Sequence, residues 1–150
     1  FNPVGPVVCS GTSSGNMISV MAAIECIKMV LEPGFYDRIE KIERNLCGGL
    51  DELFRKHGIE GHVRSQGAQF AFYFGYDDPE LDYRLSETVR AYRPDMYRRF
   101  TEECLAENIY MFDGGGKTFP QHNGFTIAHS DEDIEITIDK IDKIFKRLKT

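Results

Sequence analysis

The sequence predicts a two-layer α+β fold, in which a small, mainly antiparallel sheet packs on helices. Two long helical patterns open the chain and one closes it, whereas aromatic residues in the middle alternate with polar or small ones. A period of three to four residues indicates amphipathic helices, and a period of two indicates strands that bury one face. The predicted order is helix, helix, strand, strand, helix, strand, strand, helix, which is typical of the α+β class.

The composition describes one acidic globular domain. The 150 residues are 41% hydrophobic and 28% charged, a balance found in folded proteins. The net charge of −6 argues against nucleic acid and anionic membranes as partners, and no apolar run is long enough to span a bilayer. The four cysteines are widely spaced, so we expect reduced, mostly buried thiols in a cytoplasmic protein. Because the chain begins with Phe1 rather than methionine, we expect it to be a piece of a longer protein.

The chain is predicted to divide into an irregular opening loop over residues 1–16 and an α+β domain over residues 17–150. The loop is rich in glycine, proline and serine and has no periodicity. The helix that follows it ends at Leu31 and is apolar around nearly its whole circumference, so we expect it to be buried on most sides. Pro33 and Gly34 stop this helix, because proline cannot continue the helical hydrogen bonds and glycine tolerates a turn.

The second helix and the central strands show different periodicities. Apolar residues three and four apart predict a helix from Phe35 to His57, closed by Gly58. A strand-like run around Val63 follows, and Gly67 is expected at a turn between two antiparallel strands. In the second strand three phenylalanines alternate with other residues, and we expect them to face the helices. They are Phe70, Phe72 and Phe74.

The third helix follows a polar stretch. Residues 75–94 are charged and contain two prolines, so we expect a surface loop there. Asp95 is expected to cap a helix that ends near Asn108. The residues expected to face the core from this helix are Met96, Phe100 and Leu105.

The last quarter of the chain combines short strands with one clear helix. Strands are predicted at residues 109–112 and 125–128, and a glycine-rich loop at residues 113–124 separates them. Ser130 is expected to cap the final helix, whose apolar residues recur at intervals of four and three. Its acidic first turn and basic last turn complement the helix dipole.

The segment GTSSGN at residues 11–16 carries the most specific chemical signal. Glycines flank hydroxyl residues directly before a helix, and free backbone N–H groups, the helix dipole and hydroxyl groups together suit a phosphate. The same residues also fit an ordinary helix start capped by Ser14 or Asn16. The residues alone leave both interpretations open.

The remaining motifs identify no catalytic residue and no metal site. The triplet GKT at residues 116–118 lacks the earlier glycine of a nucleotide-binding P-loop, since that position is Met111. No two histidines have the helical spacing of metal ligands. His57 is expected at a helix end and His62 on the surface of a strand, whereas His122 in the glycine-rich loop is a candidate ligand contact.

Three segments, in order along the chain, resemble those of class-III pyridoxal-phosphate-dependent aminotransferases. GTSSGNMISVMAAIECIKMVLEPGFYDRI resembles the family's GT-x-SGNP…EPGFYERL stretch, and RSQGAQFAFYF resembles its R-x-GS-x-F-x-x-FF strand pair. FTIAHSDEDIEITIDKI is similar to its S-x-AHT-x-EDI ending. The resemblance covers essentially all of the chain. It implies the C-terminal small domain of a fold-type-I enzyme, preceded by a long helix, and it is nearest to the aminomutase branch.

The resemblance implies where cofactor and substrate would bind. Gly11 and Thr12 match residues that reach the phosphate of pyridoxal phosphate across the interface of a homodimer, and Asn16 matches a structural asparagine. Gln121, with His122 beside it, lies near a position that gates the substrate, an amino acid or amino aldehyde. In aminomutases that position is a glutamate, so the uncharged Gln121 leaves an aminotransferase equally possible.

The resemblance also implies what these residues lack. In the family, the lysine that forms the Schiff base with the cofactor precedes the GT-x-SGN loop, so the large cofactor domain is expected to be absent from this chain. We therefore expect no catalytic residue here, an inactive isolated chain, and self-association through the apolar first helix. The alternative is a non-catalytic α+β binding or dimerisation module that shares only ancestry with the family.

Overall fold

The computed structural model of the chain describes Gly5 and residues 11–76, 90–114 and 119–149. Its elements are α1 (Met17–Val30), α2 (Phe35–His57), β1 (Gly61–Gln66), β2 (Gln69–Phe74), α3 (Pro94–Ala106), β3 (His122–Gly124) and α4 (Asp131–Leu148).

The structure confirms the predicted α+β class. Helices accompany one small antiparallel sheet with the strand order β1-β2-β3. The chain forms two compact units, Phe1–Tyr36 and Asp37–Thr150. The predicted division into an opening loop over 1–16 and a domain over 17–150 stays a prediction. Among the described residues, no helix has the length and the apolar character needed to cross a membrane.

Helix α1 belongs to the first unit and is exposed along its whole length. Its cap is Asn16, whose side-chain oxygen accepts a hydrogen bond from the Ser19 N–H at 3.1 Å. None of its fourteen residues is buried. The expectation of a helix buried on most sides is therefore wrong for this chain, because an apolar pattern records the surroundings that suit a helix, whereas burial also needs a surface to pack against. The apolar side chains exposed on α1 are Met17, Ile18, Val20, Met21, Ile24, Ile27 and Met29.

The core of the second unit is aromatic and lies on one face of the sheet. The three phenylalanines of β2 point inward as predicted, and the turn before β2 is made by Gly67 at a φ of 58°. The ring of Phe72 lies 4.6 Å from that of Phe100, between ring centroids, and Phe54 lies 4.9 Å from Phe145 in an edge-to-face arrangement. The fully buried apolar residues that build this core from the helices include Ile42, Leu50, Phe54, Tyr97, Phe100, Ile141, Ile144 and Phe145.

Helix α3 begins differently from the prediction. Arg93 occupies the cap position, Pro94 is the first helical residue, and no side chain caps the helix. Asp95 lies inside the first turn and pairs with Arg93 at 2.8 Å, so its predicted capping role is wrong. The reason is Pro94, whose fixed φ and missing N–H suit the first position of a helix and move the cap before it.

The face that α3 buries also differs in part from the prediction. Phe100 is fully buried and Met96 is partly buried against the core, as expected. Leu105 is 66% exposed, so its predicted burial is wrong. Cys104, one turn after Phe100, takes the core position instead, since residues four apart share a helix face and Leu105 is rotated away from it.

The two short strands predicted late in the chain are both wrong. Residues 109–112 form no strand, and residues 125–128 run into a turn that the His129 N–H closes on the Thr126 carbonyl at 3.2 Å. The third strand is β3, which pairs antiparallel with β2 from inside the predicted glycine-rich loop. The Thr126 hydroxyl accepts the Ala128 N–H at 3.2 Å, and such local bonds favour a turn over a strand.

The polar stretch at residues 75–94 holds a buried tyrosine at each of its two described ends. Tyr76 is 6% exposed and Tyr92 is 4% exposed, so the surface-loop prediction is wrong there, because an aromatic ring is buried even between charged neighbours. Residues 77–89 lie outside the described residues.

Helix α4 confirms its prediction. The Ser130 hydroxyl accepts the Asp133 N–H at 3.1 Å, and the Asp133 carboxylate accepts the Ser130 N–H at 2.7 Å, which makes a complete capping box.

Candidate functional site

The GTSSGN segment forms an exposed turn directly before α1. The Gly11 carbonyl accepts the Ser14 N–H at 3.0 Å, and the Ser13 carbonyl accepts the Asn16 N–H at 3.2 Å. A Cβ atom on Gly11 would lie 2.9 Å from the Ser14 hydroxyl oxygen, so a side chain there would crowd the turn. The structure therefore brings Gly11 and Thr12 together on one exposed turn.

The start of α1 differs electrostatically from the start of α4, the other helix with a side-chain cap. The first turn of α1 holds no acidic side chain, whereas the first turn of α4 holds three. The positive end of the α1 dipole is therefore not neutralised by its own helix, and an anion placed there would be stabilised. The phosphate role of Gly11 and Thr12 stays a prediction.

Gln121 and His122 are adjacent in sequence but lie in different surroundings. Gln121 is 8% exposed, and its amide donates to the Phe119 carbonyl at 3.2 Å. His122 is exposed on β3, and its ring centroid lies 6.1 Å from that of Phe112. Of the two predicted substrate residues, His122 alone exposes its side chain to solvent. Both belong to the second unit, whereas Gly11 and Thr12 belong to the first.

A buried asparagine between His122 and Gly124 joins β3 to the segment before the glycine-rich loop. The Asn123 side-chain oxygen accepts the Phe112 N–H at 2.8 Å, and its amide nitrogen donates to the Tyr97 hydroxyl at 3.2 Å. That hydroxyl in turn donates to the Phe112 carbonyl at 2.7 Å. Burial raises the pKa of Tyr97 to about 12, so the hydroxyl stays a donor at neutral pH.

This network occupies the backbone of Phe112, the last residue of the strand predicted at residues 109–112. The backbone N–H and carbonyl of Phe112 are satisfied by the side chains of Asn123 and Tyr97 rather than by a neighbouring strand. Sequence reasoning missed both residues, because neither Asn123 nor Tyr97 stands in a pattern that signals a buried hydrogen bond. The network holds together the two ends of the glycine-rich loop.

Replacing Asn123 by alanine is expected to lower the free energy of unfolding by about 1–3 kcal/mol, since the buried Phe112 N–H loses its acceptor. Tyr97→Phe is expected to cost about 1 kcal/mol, and the double variant less than the sum of the two, because both act on one network. Urea unfolding followed by circular dichroism measures these changes. His122→Ala, at the exposed neighbouring position, serves as the control and is expected to stay within about 0.5 kcal/mol of the unchanged chain. An Asn123→Ala chain as stable as the unchanged one would contradict the network.

A cleft opens beside β3, and we call it the β3 cleft. Its volume is about 350 Å³, and it lies entirely in the second unit. Most of its lining is apolar, and polar side chains stand among these residues. The residues that define it are Leu46, Phe70, Met111, Phe112, His122, Phe125, His129 and Thr137.

His57 and His62 are structural. His57 closes α2 as predicted, and its Nε2 lies 2.7 Å from Asp142 of α4. His62 was predicted on a strand surface, which is wrong: it is 5% exposed and stacks on Tyr73 at 5.2 Å between ring centroids, because that cross-strand neighbour covers it. No group of residues suited to hold a metal ion occurs in the described part of the chain.

The described cysteines are free, and two of them are buried as expected. Burial raises the pKa of the Cys47 thiol to about 11 and that of the Cys104 thiol to about 12, so neither is a thiolate at neutral pH. Cys26 is exposed on α1, and Cys9 lies outside the described residues. The buried thiols are therefore core residues rather than nucleophiles.

Comparison with known proteins finds curated relatives and solved structures of the same fold. The chain is 31% identical over 144 residues to a glutamate-1-semialdehyde 2,1-aminomutase of Nitrosomonas europaea, and the match covers 95% of this chain and 31% of that protein. An omega-transaminase from Sphaerobacter thermophilus matches with a TM-score of 0.76 and 16% identity, over 100% of this chain and 33% of that one. A transaminase solved with PLP bound matches with a TM-score of 0.72 and 16% identity, over 99% of this chain and 32% of that one.

These comparisons confirm the resemblance predicted from the sequence. The chain spans about a third of the length of the curated relative and of the two solved structures. The structural matches show that the fold is shared with transaminases. No protein-family model matches the chain.

Proposed function

We propose that the chain is the C-terminal part of a class-III pyridoxal-phosphate-dependent aminotransferase or aminomutase, a cytoplasmic homodimer that acts on an amino acid or amino aldehyde. The observation that carries the proposal is the similarity to an aminomutase over 95% of the chain. The fold shared with a PLP-bound transaminase supports the same cofactor. Pyridoxal phosphate supplies the electron sink for amino-group chemistry when it is bound.

In this proposal Gly11 and Thr12 hold the cofactor phosphate. Their turn fits that group, since it is exposed and precedes a helix whose first turn holds no acidic residue. The Thr12 hydroxyl would donate to a phosphate oxygen, and the site would be shared across the homodimer interface.

The glycine-rich loop at 113–124 would border the substrate. His122 is the residue of this loop that we place against the substrate, because its ring is exposed and the Gln121 side chain is not. Gln121 would position the loop through its bond to the Phe119 carbonyl. Because neither Gln121 nor His122 is acidic, the proposal includes an aminotransferase as well as an aminomutase.

Reductive trapping tests the proposal. The full-length protein that contains these 150 residues is loaded with pyridoxal phosphate and treated with borohydride, and mass spectrometry locates the modified lysine. We expect one lysine outside residues 1–150 to be modified, and the isolated chain to show no turnover and no stoichiometric adduct. A stoichiometric adduct on a lysine of this chain would contradict the proposal that the Schiff-base lysine lies outside residues 1–150. A gene that starts directly before Phe1 would favour the non-catalytic module.

A further inference from the structure

The β3 cleft combines apolar walls with an open mouth. Phe70 and Phe125 are 4% and 5% exposed and form its inner wall, whereas Phe112 at the mouth is 41% exposed. Its volume of about 350 Å³ lies at the small end of the range of about 300–1,000 Å³ found for ligand sites. The cleft is therefore large enough to hold the apolar part of a small ligand.

The polar groups that reach the cleft are mostly used by the protein itself. The Thr137 hydroxyl donates to the Asp133 carbonyl at 2.7 Å. The Asn123 amide is hydrogen-bonded to the Phe112 N–H and to the Tyr97 hydroxyl. The His122 side chain makes no hydrogen bond to any part of the chain that the structure describes, although its ring contacts that of Phe112. The imidazole of His122 is therefore one donor that a bound ligand would meet, beside the exposed side chains of Gln69 and Tyr110, which also line the cleft.

The charge of the lining narrows the class of ligand. Among the described residues that line the cleft, none is an aspartate or glutamate and none is a lysine or arginine. A carboxylate at the mouth meets imidazole donors and no acidic residue of this lining, whereas a second carboxylate deeper in the cleft would face apolar walls and the Asn123 amide, which is already hydrogen-bonded. The lining thus suits one anionic group at one end of an apolar body.

We infer that the β3 cleft binds a small monocarboxylate with an aromatic or aliphatic body, with its carboxylate at His122 and its body against Phe70 and Phe125. This inference rests on the proposed function in one respect, because it makes the substrate of the intact enzyme an amino compound with an apolar side chain rather than a dicarboxylate. The binding itself needs no cofactor, so it is measured on the 150-residue chain alone.

The test titrates the chain with 3-phenylpropionate, glutarate and 3-phenylpropan-1-ol. Nuclear magnetic resonance of the imidazole C–H groups reports on His122 and His129, which both line the cleft. We expect 3-phenylpropionate to shift these signals saturably and to bind at least about tenfold more tightly than the alcohol, as for a hydrogen bond to a charged group. Glutarate is expected to produce no saturable shift.

Two phenylalanine substitutions on α4 locate the binding. Thr137→Phe fills the cleft and is expected to abolish the shifts, whereas Ile136→Phe, at a neighbouring position that is 46% exposed and does not line the cleft, is expected to leave them unchanged. Binding that survives Thr137→Phe, or glutarate binding as tight as that of 3-phenylpropionate, would overturn the inference. Binding of the alcohol as tight as that of 3-phenylpropionate would overturn the inferred contact between the carboxylate and His122. None of these measurements involves pyridoxal phosphate. Their failure can therefore be distinguished from a failure of the lysine-trapping experiment.

Discussion

Phe100→Ala is expected to lower the free energy of unfolding by about 3–5 kcal/mol, the cost of emptying a buried phenylalanine site. Phe100 is fully buried, and its ring lies 4.6 Å from Phe72 and 5.8 Å from Phe145 between ring centroids. Domains of this size have stabilities of about 5–15 kcal/mol, so this loss can leave the second unit largely unfolded. Urea unfolding followed by circular dichroism measures the change.

The matched control lies on the same helix. Leu105→Ala is expected to change the free energy of unfolding by less than about 0.5 kcal/mol, because the side chain is already 66% exposed. Where Phe100→Ala unfolds the chain, Phe100→Leu keeps most of the buried volume and gives a smaller, measurable loss. Similar losses for Phe100→Ala and Leu105→Ala would show that the face assigned to α3 is wrong.

The second large effect concerns association through α1. The helix exposes seven apolar side chains, from Met17 to Met29, and an ion pair joins Lys28 to Glu25 at 2.7 Å. Exposed apolar surfaces of this kind mark interaction sites, so the 150-residue chain is expected to self-associate in sedimentation velocity as its concentration rises. Met21→Glu combined with Ile24→Glu is expected to shift the chain to monomer.

The control for this experiment places the same charge elsewhere. Leu105→Glu adds a carboxylate at an exposed apolar position of α3 and is expected to leave the association unchanged. A chain that sediments as a monomer at every concentration would contradict the role of α1. Association that is lost equally in the Leu105→Glu variant would place the interface away from α1.

The elements that the sequence predicted correctly are those whose signals are local. Helix α2 has an apolar stripe and ends at His57, directly before Gly58. The β1–β2 turn has Gly67 at positive φ, and Ser130 with Asp133 completes a cap. Each signal depends on residues a few positions apart, so no tertiary partner is needed to read it.

Two of the errors lie where a distant side chain decides the outcome, whereas the wrong cap of α3 has a local cause, Pro94 beside Asp95. Residues 109–112 look like a strand, but Asn123 and Tyr97 take the backbone groups that a strand would offer. His62 looks like a surface residue, but Tyr73 on the neighbouring strand covers it. In the candidate site, the turn before α1 could be predicted from its glycines and hydroxyls, whereas the difference between Gln121 and His122 depends on packing around the loop.

The central claim is that the turn before α1 holds a cofactor phosphate, and cofactor retention by Thr12 variants tests it most directly. In the full-length protein that contains these residues, Thr12→Ala is expected to weaken the binding of pyridoxal phosphate by about 1–2 kcal/mol, roughly five- to thirtyfold. Thr12→Ser keeps the hydroxyl and is expected to bind as the unchanged protein does, as is Ser13→Ala in the same turn. A dissociation constant that does not change in the Thr12→Ala protein would contradict the claim.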